Sequence, residues 1–133
     1  MQVIVPIRPK MGTLFINTND IGPGLFIHHG FSTIISAKSI GKDCWINQQV
    51  TIGYSNETDC PTLGDNVTIN AGAKIIGKVY MGNNSRAGAN AVVVKNVPKN
   101  CTFVGIPAYI SKYPPAEPGA LFCEPLKAAI MWR

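Results

Sequence analysis

The sequence predicts an all-β solenoid, a triangular prism of short parallel strands. Three observations carry that expectation. An aliphatic residue recurs every six positions, a glycine often follows it, and two positions before it the chain again prefers small or aliphatic types. A six-residue period fits neither a helix at 3.6 nor a half-buried strand at 2. It fits a coil of three strands and three corners, with the aliphatic residue inside.

The elements follow in order. Residues 1–20 carry Ile4, Ile7 and Phe15 with a poor period, and read as a cap or a degenerate first coil. Solenoids need such a cap, because a bare end exposes core and unpaired strand edges. From Ile21 the repeat runs through Ile27, Ile34, Ile40, Ile46 and Ile52. It resumes at Leu63, Ile69, Ile75, Met81, Ala87 and Val93. Glycine follows at 22, 41, 53, 64, 82 and 88, where positive φ or tight packing would penalise a Cβ. Leu25, Cys44, Val50, Val67, Ala73, Val79 and Ala91 fill the second inward position. Polar residues such as Lys42, Asp43, Asp65, Asn66, Asn83 and Asn84 belong at turns. Residues 21–98 give four coils and a fraction, a prism of about 20 Å at the usual strand spacing.

Two interruptions stand out. The step from Ile27 to Ile34 is seven, which places a bulge near Gly30-Phe31. The step from Ile52 to Leu63 is eleven, so residues 53–62 leave the prism as a loop. Loops on rigid scaffolds often carry function. The repeat domain is expected to run over 21–110. A tail over 111–133 follows, in which Tyr113 to Gly119 reads as a stiff linker and Leu121 to Trp132 as a short helix.

Composition narrows the function classes. The 133 residues are 46% hydrophobic and 14% charged, too apolar for disorder. No apolar run approaches the roughly 18 residues of a spanning helix, and the first residues do not read as a signal peptide. Cys44, Cys60, Cys101 and Cys123 form no C-x-x-C pair and read as reduced thiols, which suits the cytoplasm. The net charge of +5 is scattered among few aromatics, so nucleic acid is not an expected partner. The four N-x-S/T triplets at Asn56, Asn66, Asn83 and Asn100 read as turn asparagines.

Stacking the coils suggests where chemistry sits. Taking the long loop as one rung places His29, Gln48, Ala71 and Ala89 in one column. Its small side chains leave a groove in which backbone groups can meet an extended amide-bearing ligand. The only histidines are the adjacent His28 and His29. In extended chain they point to opposite faces, so only one can serve the column. Two adjacent histidines with no third do not supply a metal site.

These segments resemble a known family. Ile21-Gly22-Pro23-Gly24-Leu25-Phe26-Ile27-His28-His29-Gly30 looks like the catalytic segment of bacterial serine O-acetyltransferases. Gln48-Gln49-Val50-Thr51-Ile52-Gly53 is similar to the segment before that family's long loop, and residues 63–77, 88–93 and 104–108 resemble its later coils. The resemblance is colinear over roughly residues 20–110. It implies a left-handed parallel β-helix of the hexapeptide-repeat acyltransferase superfamily, a homotrimer with active sites between subunits, and acetyl transfer from acetyl-CoA to a hydroxyl.

By the same resemblance His29 is the general base. Ala71 and Ala89 meet the cofactor's pantetheine arm through backbone groups. Beside the resemblance, Gly53 is read as cofactor-binding, and Arg86 or Lys95, basic residues of the C-terminal coils, as partners of the CoA phosphates. Gln48, Cys60 and His28 line the acceptor site. The resemblance also marks departures. Leu14 stands where an acid would orient the histidine, His28 where an acid often precedes it, Cys60 where a loop histidine would hold the serine carboxylate, and Tyr109 where a basic residue follows the V-P-A segment. The family's helical first domain has no counterpart, so a hexamer built through it is not expected. The alternatives are a sugar, polysaccharide or antibiotic O-acetyltransferase of the same fold, and a non-catalytic trimeric module that binds or assembles.

Overall fold

The structure is a computed structural model and describes residues 13–112. Fourteen short strands wind into a left-handed β-helix of three sheets. Sheet A stacks β1 (Leu14–Ile16), β3 (Thr33–Ile35), β6 (Thr51–Gly53), β9 (Lys74–Ile76) and β12 (Val92–Val93). Sheet B stacks β4 (Ser39–Ile40), β7 (Thr62–Leu63) and β10 (Tyr80–Met81), extended by bridges at Ile21 and Val97. Sheet C stacks β2 (Phe26–Ile27), β5 (Trp45–Ile46), β8 (Thr68–Ile69), β11 (Arg86–Ala87), β13 (Thr102–Gly105) and β14 (Ala108–Lys112). Every pairing is parallel except the closing hairpin β13–β14.

The core is three files of apolar side chains, one per sheet. Ile35, Ile52, Ile75 and Val93 line sheet A, and Ile40, Leu63, Met81 and Val97 line sheet B. Ile46, Ile69, Ala87 and Phe103 line sheet C. Between them Cys44, Val50, Val67, Ala73, Val79 and Ala91 fill the second inward position and are buried too. A prism this narrow has a single layer of core, so burial of each aliphatic residue against its coil neighbours supplies most of the driving force.

Two corrections to the sequence register follow. Ile34 is not a core residue: it is 44% exposed, and Ile35 is fully buried in its place. The step across the bulge is therefore eight, and the next step to Ile40 is five. Ile21 is 36% exposed at the bottom coil. The corner between sheets B and C explains the glycines. A Cβ on Gly22 would lie 2.7 Å from the Gly41 carbonyl carbon, and one on Gly41 would strike the Gly64 carbonyl. These glycines are required by close stacking of coils. The positive φ falls two residues later, at Gly24, Asp43, Asn66, Asn84 and Asn100. Asparagine tolerates that left-handed turn, and the stacked amides bond along the corner: Asn66 Nδ2 donates to Asn84 Oδ1 at 2.8 Å, and Asn84 Nδ2 to Asn100 Oδ1 at 3.0 Å.

The loop after β6 is ordered by Asn56. Its Oδ1 accepts from the N–H groups of Thr58 and Asp59 at 2.9 and 2.8 Å, and its Nδ2 donates to Asp59 Oδ2 at 2.8 Å. Residues 1–12 and the expected linker and helix of the tail lie outside the described residues.

Candidate functional site

The chemistry-bearing side chains gather at the corner between sheets C and A. Each coil turns there on a left-handed residue: Ser32, Gln49, Gly72 and Asn90. The Gln49 N–H donates to the Phe31 carbonyl at 2.9 Å, Gly72 to Gln48 at 3.0 Å, and Asn90 to Ala71 at 2.9 Å. These bonds fix the true column as Phe31, Gln48, Ala71 and Ala89. His29 is not its base, because His29 and Gly30 are two extra residues inserted before Phe31. The expected groove also changes in kind. The carbonyls of Gln48 and Ala71 are taken by the coil above, while the N–H groups of Ala71 and Ala89 make no hydrogen bond among the described residues. Both alanines are at least partly exposed. The corner thus presents donors to a ligand.

His28 still belongs to sheet C, since its N–H donates to the Ile46 carbonyl at 2.8 Å. The chain then turns left-handed at His29, φ 69°, and again at Gly30, φ 63°. That turn overturns the expectation that the two imidazoles face apart. Their rings stack, centroids 3.8 Å apart and planes 29° from parallel. Both are exposed. Among the described residues neither imidazole makes a hydrogen bond.

Aromatic neighbours that the sequence reading passed over surround His28. Phe26 and Trp45 pack with centroids 4.3 Å apart, and lie 6.0 and 5.9 Å from the His28 ring. Their place was legible, since each immediately precedes an inward isoleucine and so must point outward. Trp45 Nε1 donates to Asn47 Oδ1 at 2.8 Å, and Asn70 Nδ2 to the Ala87 carbonyl at 2.8 Å. Lys74 Nζ reaches the Gln49 carbonyl at 2.6 Å, which puts a cation at this corner.

The other expected residues lie elsewhere on the chain. Arg86 is exposed on sheet C, two coils above Trp45 in its outward file. Gly53 and Lys95 lie at the corner between sheets A and B, and Cys60 ends the loop there. Leu14 pairs with Thr33 at the bottom of sheet A and supplies no carboxylate. The Cys60 loop borders an open groove of about 460 Å³ with Lys38, Lys78 and Tyr80 on its walls. A hydrogen bond with the Cys60 side chain raises the Tyr54 phenol above its usual range. One chain therefore brings His28, His29, Gln48, Ala71 and Ala89 to a single corner and leaves Cys60, Gly53 and Lys95 at another. Among the described residues no group of three or more His, Cys, Asp or Glu side chains is placed to hold a metal ion. No helix among them is long and apolar enough to cross a membrane.

Known proteins share this fold. No protein-family profile matches the chain. A serine acetyltransferase of Synechococcus elongatus is 43% identical over 94 residues, 68% of this chain and 38% of that protein. The soybean serine acetyltransferase apoenzyme superposes with a TM-score of 0.70 at 32% identity, covering 74% of this chain and 43% of the other. A serine acetyltransferase in complex with CoA superposes with a TM-score of 0.62 at 32% identity, covering 71% and 41%. The chain spans 38–50% of the length of the first curated relatives it matches.

Proposed function

The chain is a homologue of serine acetyltransferases over its β-helical part, and from that premise we propose that it transfers an acetyl group from acetyl-CoA to a hydroxyl of a small acceptor. The carrying observation is the two-residue insertion at the corner of sheets C and A. It sets an exposed imidazole beside a column of free backbone N–H groups. An extended pantetheine arm carries amide carbonyls that such donors match.

His29 is the base in this reading. A neutral imidazole near pH 7 takes the acceptor's proton as its oxygen attacks the thioester carbonyl. The tetrahedral oxyanion that forms needs donors, and N–H groups around Gly30 are nearest in the chain. Collapse breaks the C–S bond, and the imidazolium returns the proton to the CoA thiolate. Ala71 and Ala89 hold the arm. Lys74, Arg86 or Lys95 meet the phosphates.

The acceptor site is completed by a second copy. Cys60 lies across sheet A from His29, at the same far corner as the cofactor residues Gly53 and Lys95, so a neighbouring subunit must bring its own loop to this corner. A homotrimer fits the exposed apolar side chains of the lower coils: Phe15, Phe26, Phe31, Ile34 and Trp45 are each more than 40% exposed. Serine is the acceptor that the relatives' names suggest. A neutral sugar is the second reading, favoured by the Phe26–Trp45 pair beside His28 and by Cys60 in place of the loop histidine that would hold a serine carboxylate. A cytoplasmic location suits Cys44 and Cys60, which form no disulfide among the described residues.

The test is CoA release from acetyl-CoA with L-serine, sugars and amino alcohols, alongside His29→Ala. Turnover with one acceptor, lost by 10²-fold or more in the variant, is the expected outcome. Turnover that survives His29→Ala removes His29 from the mechanism. Silence with every acceptor and no acetyl-CoA binding favours a structural module.

A further inference from the structure

The histidine pair was expected to split its roles, and the geometry joins them. His29 has no hydrogen-bonding partner among the described residues that would fix its ring. A base must keep one ring nitrogen aimed at the acceptor, and that aim is normally set by a bond to the other nitrogen. Its one aromatic neighbour among the described residues is His28, whose ring stacks on it with centroids 3.8 Å apart. His28 is itself held. Its backbone is tied into sheet C, and its ring lies against Phe26 and edge-on to Trp45, which is pinned through Nε1 to Asn47. The left-handed backbone at His29 is what lays one ring over the other.

Resting on the reading of His29 as base, we propose that His28 is a positioning residue: its ring is the plate against which the His29 imidazole is oriented. The plate works through its flat face, so its own nitrogens are not required. His28 is exposed, and its replacement leaves the core untouched.

The experiment compares His28→Ala, His28→Phe and His29→Ala in the full chain. The plate predicts that His28→Ala lowers kcat about tenfold, since misalignment of a reacting group is costly. KM for acetyl-CoA stays unchanged. His28→Phe, which keeps a flat ring, recovers kcat to within about threefold. The second readout needs no turnover. Stacking shields the carbon-bound protons of His29, so their proton NMR signals lie upfield in the wild type. They move downfield in His28→Ala and stay shielded in His28→Phe. Unchanged kcat together with unmoved His29 signals in His28→Ala overturns the proposal, as does a His28→Phe variant no better than His28→Ala. If His29→Ala retains full turnover, the base assignment fails instead. The NMR shifts then decide alone whether the plate exists.

Discussion

Ser85 is buried in the prism, and its hydroxyl has no hydrogen-bonding partner among the described residues. It occupies the inward place that Cys44, Val67 and Cys101 hold in other coils. A buried hydroxyl without a partner costs roughly 1–3 kcal/mol. Ser85→Ala should therefore raise stability by about 1 kcal/mol, read as a higher urea midpoint at unchanged slope. Cys44 carries a pH consequence. Burial pushes its thiol above the usual 9.0, while the N–H groups of Val67 and Asn66 partly oppose the rise. The folded chain keeps that proton longer than the unfolded chain. Its contribution is full below about pH 9 and is lost as pH rises through the elevated value. Urea midpoints at pH 8 and pH 10 should differ less in Cys44→Val than in the wild type. At Tyr54, Cys60→Ala removes the hydrogen bond that holds the phenol up. The difference absorbance titration should show one tyrosine ionising at lower pH, and no difference would dissociate Cys60 from Tyr54.

At the scale of the repeat, one sequence signal covers two physical situations. Gly41 and Gly53 both follow an inward isoleucine. A Cβ on Gly41 would strike the next coil's backbone, whereas one on Gly53 would make ordinary contacts at 3.6 and 3.9 Å. Gly41→Ala should destabilise by about 1–3 kcal/mol through overpacking, and Gly53→Ala by far less; equal midpoints in thermal unfolding would refute the distinction. The same contrast shows what the sequence could reveal. Period and inward residues were legible from Ile40 to Val93, because a one-layer core admits little but aliphatic side chains there. Ile34 and Ile35 were not separable, since both are isoleucine and the insertion beside them hides the register. The His28–His29 stack was invisible for a related reason. It depends on a left-handed backbone at a non-glycine residue, which no residue type announces. Gln48, Ala71 and Ala89 stack as the spacing implied, while Phe31 displaced His29 at their base.

The whole prism exposes Phe26 and Trp45 on one face and Phe15 and Ile34 on the next. If copies meet there, the wild type should sediment as a trimer, and Trp45→Glu should shift it towards monomer with its β signal in circular dichroism intact. Turnover should fall with the trimer, because the corner bearing His29 lacks the loop of its own chain. Sedimentation of the wild type as a monomer would sink this assembly. The closing hairpin sets a different boundary. Parallel stacking makes every coil a template for another, so a solenoid can in principle go on recruiting strands. In sheet C the chain answers with β14, which runs backwards over β13 from Ala108 to Lys112. A further parallel rung finds no matching register on that strand. The hairpin acts as a stop, and its reversal of direction guards this end of sheet C against growing from a discrete particle into a fibre.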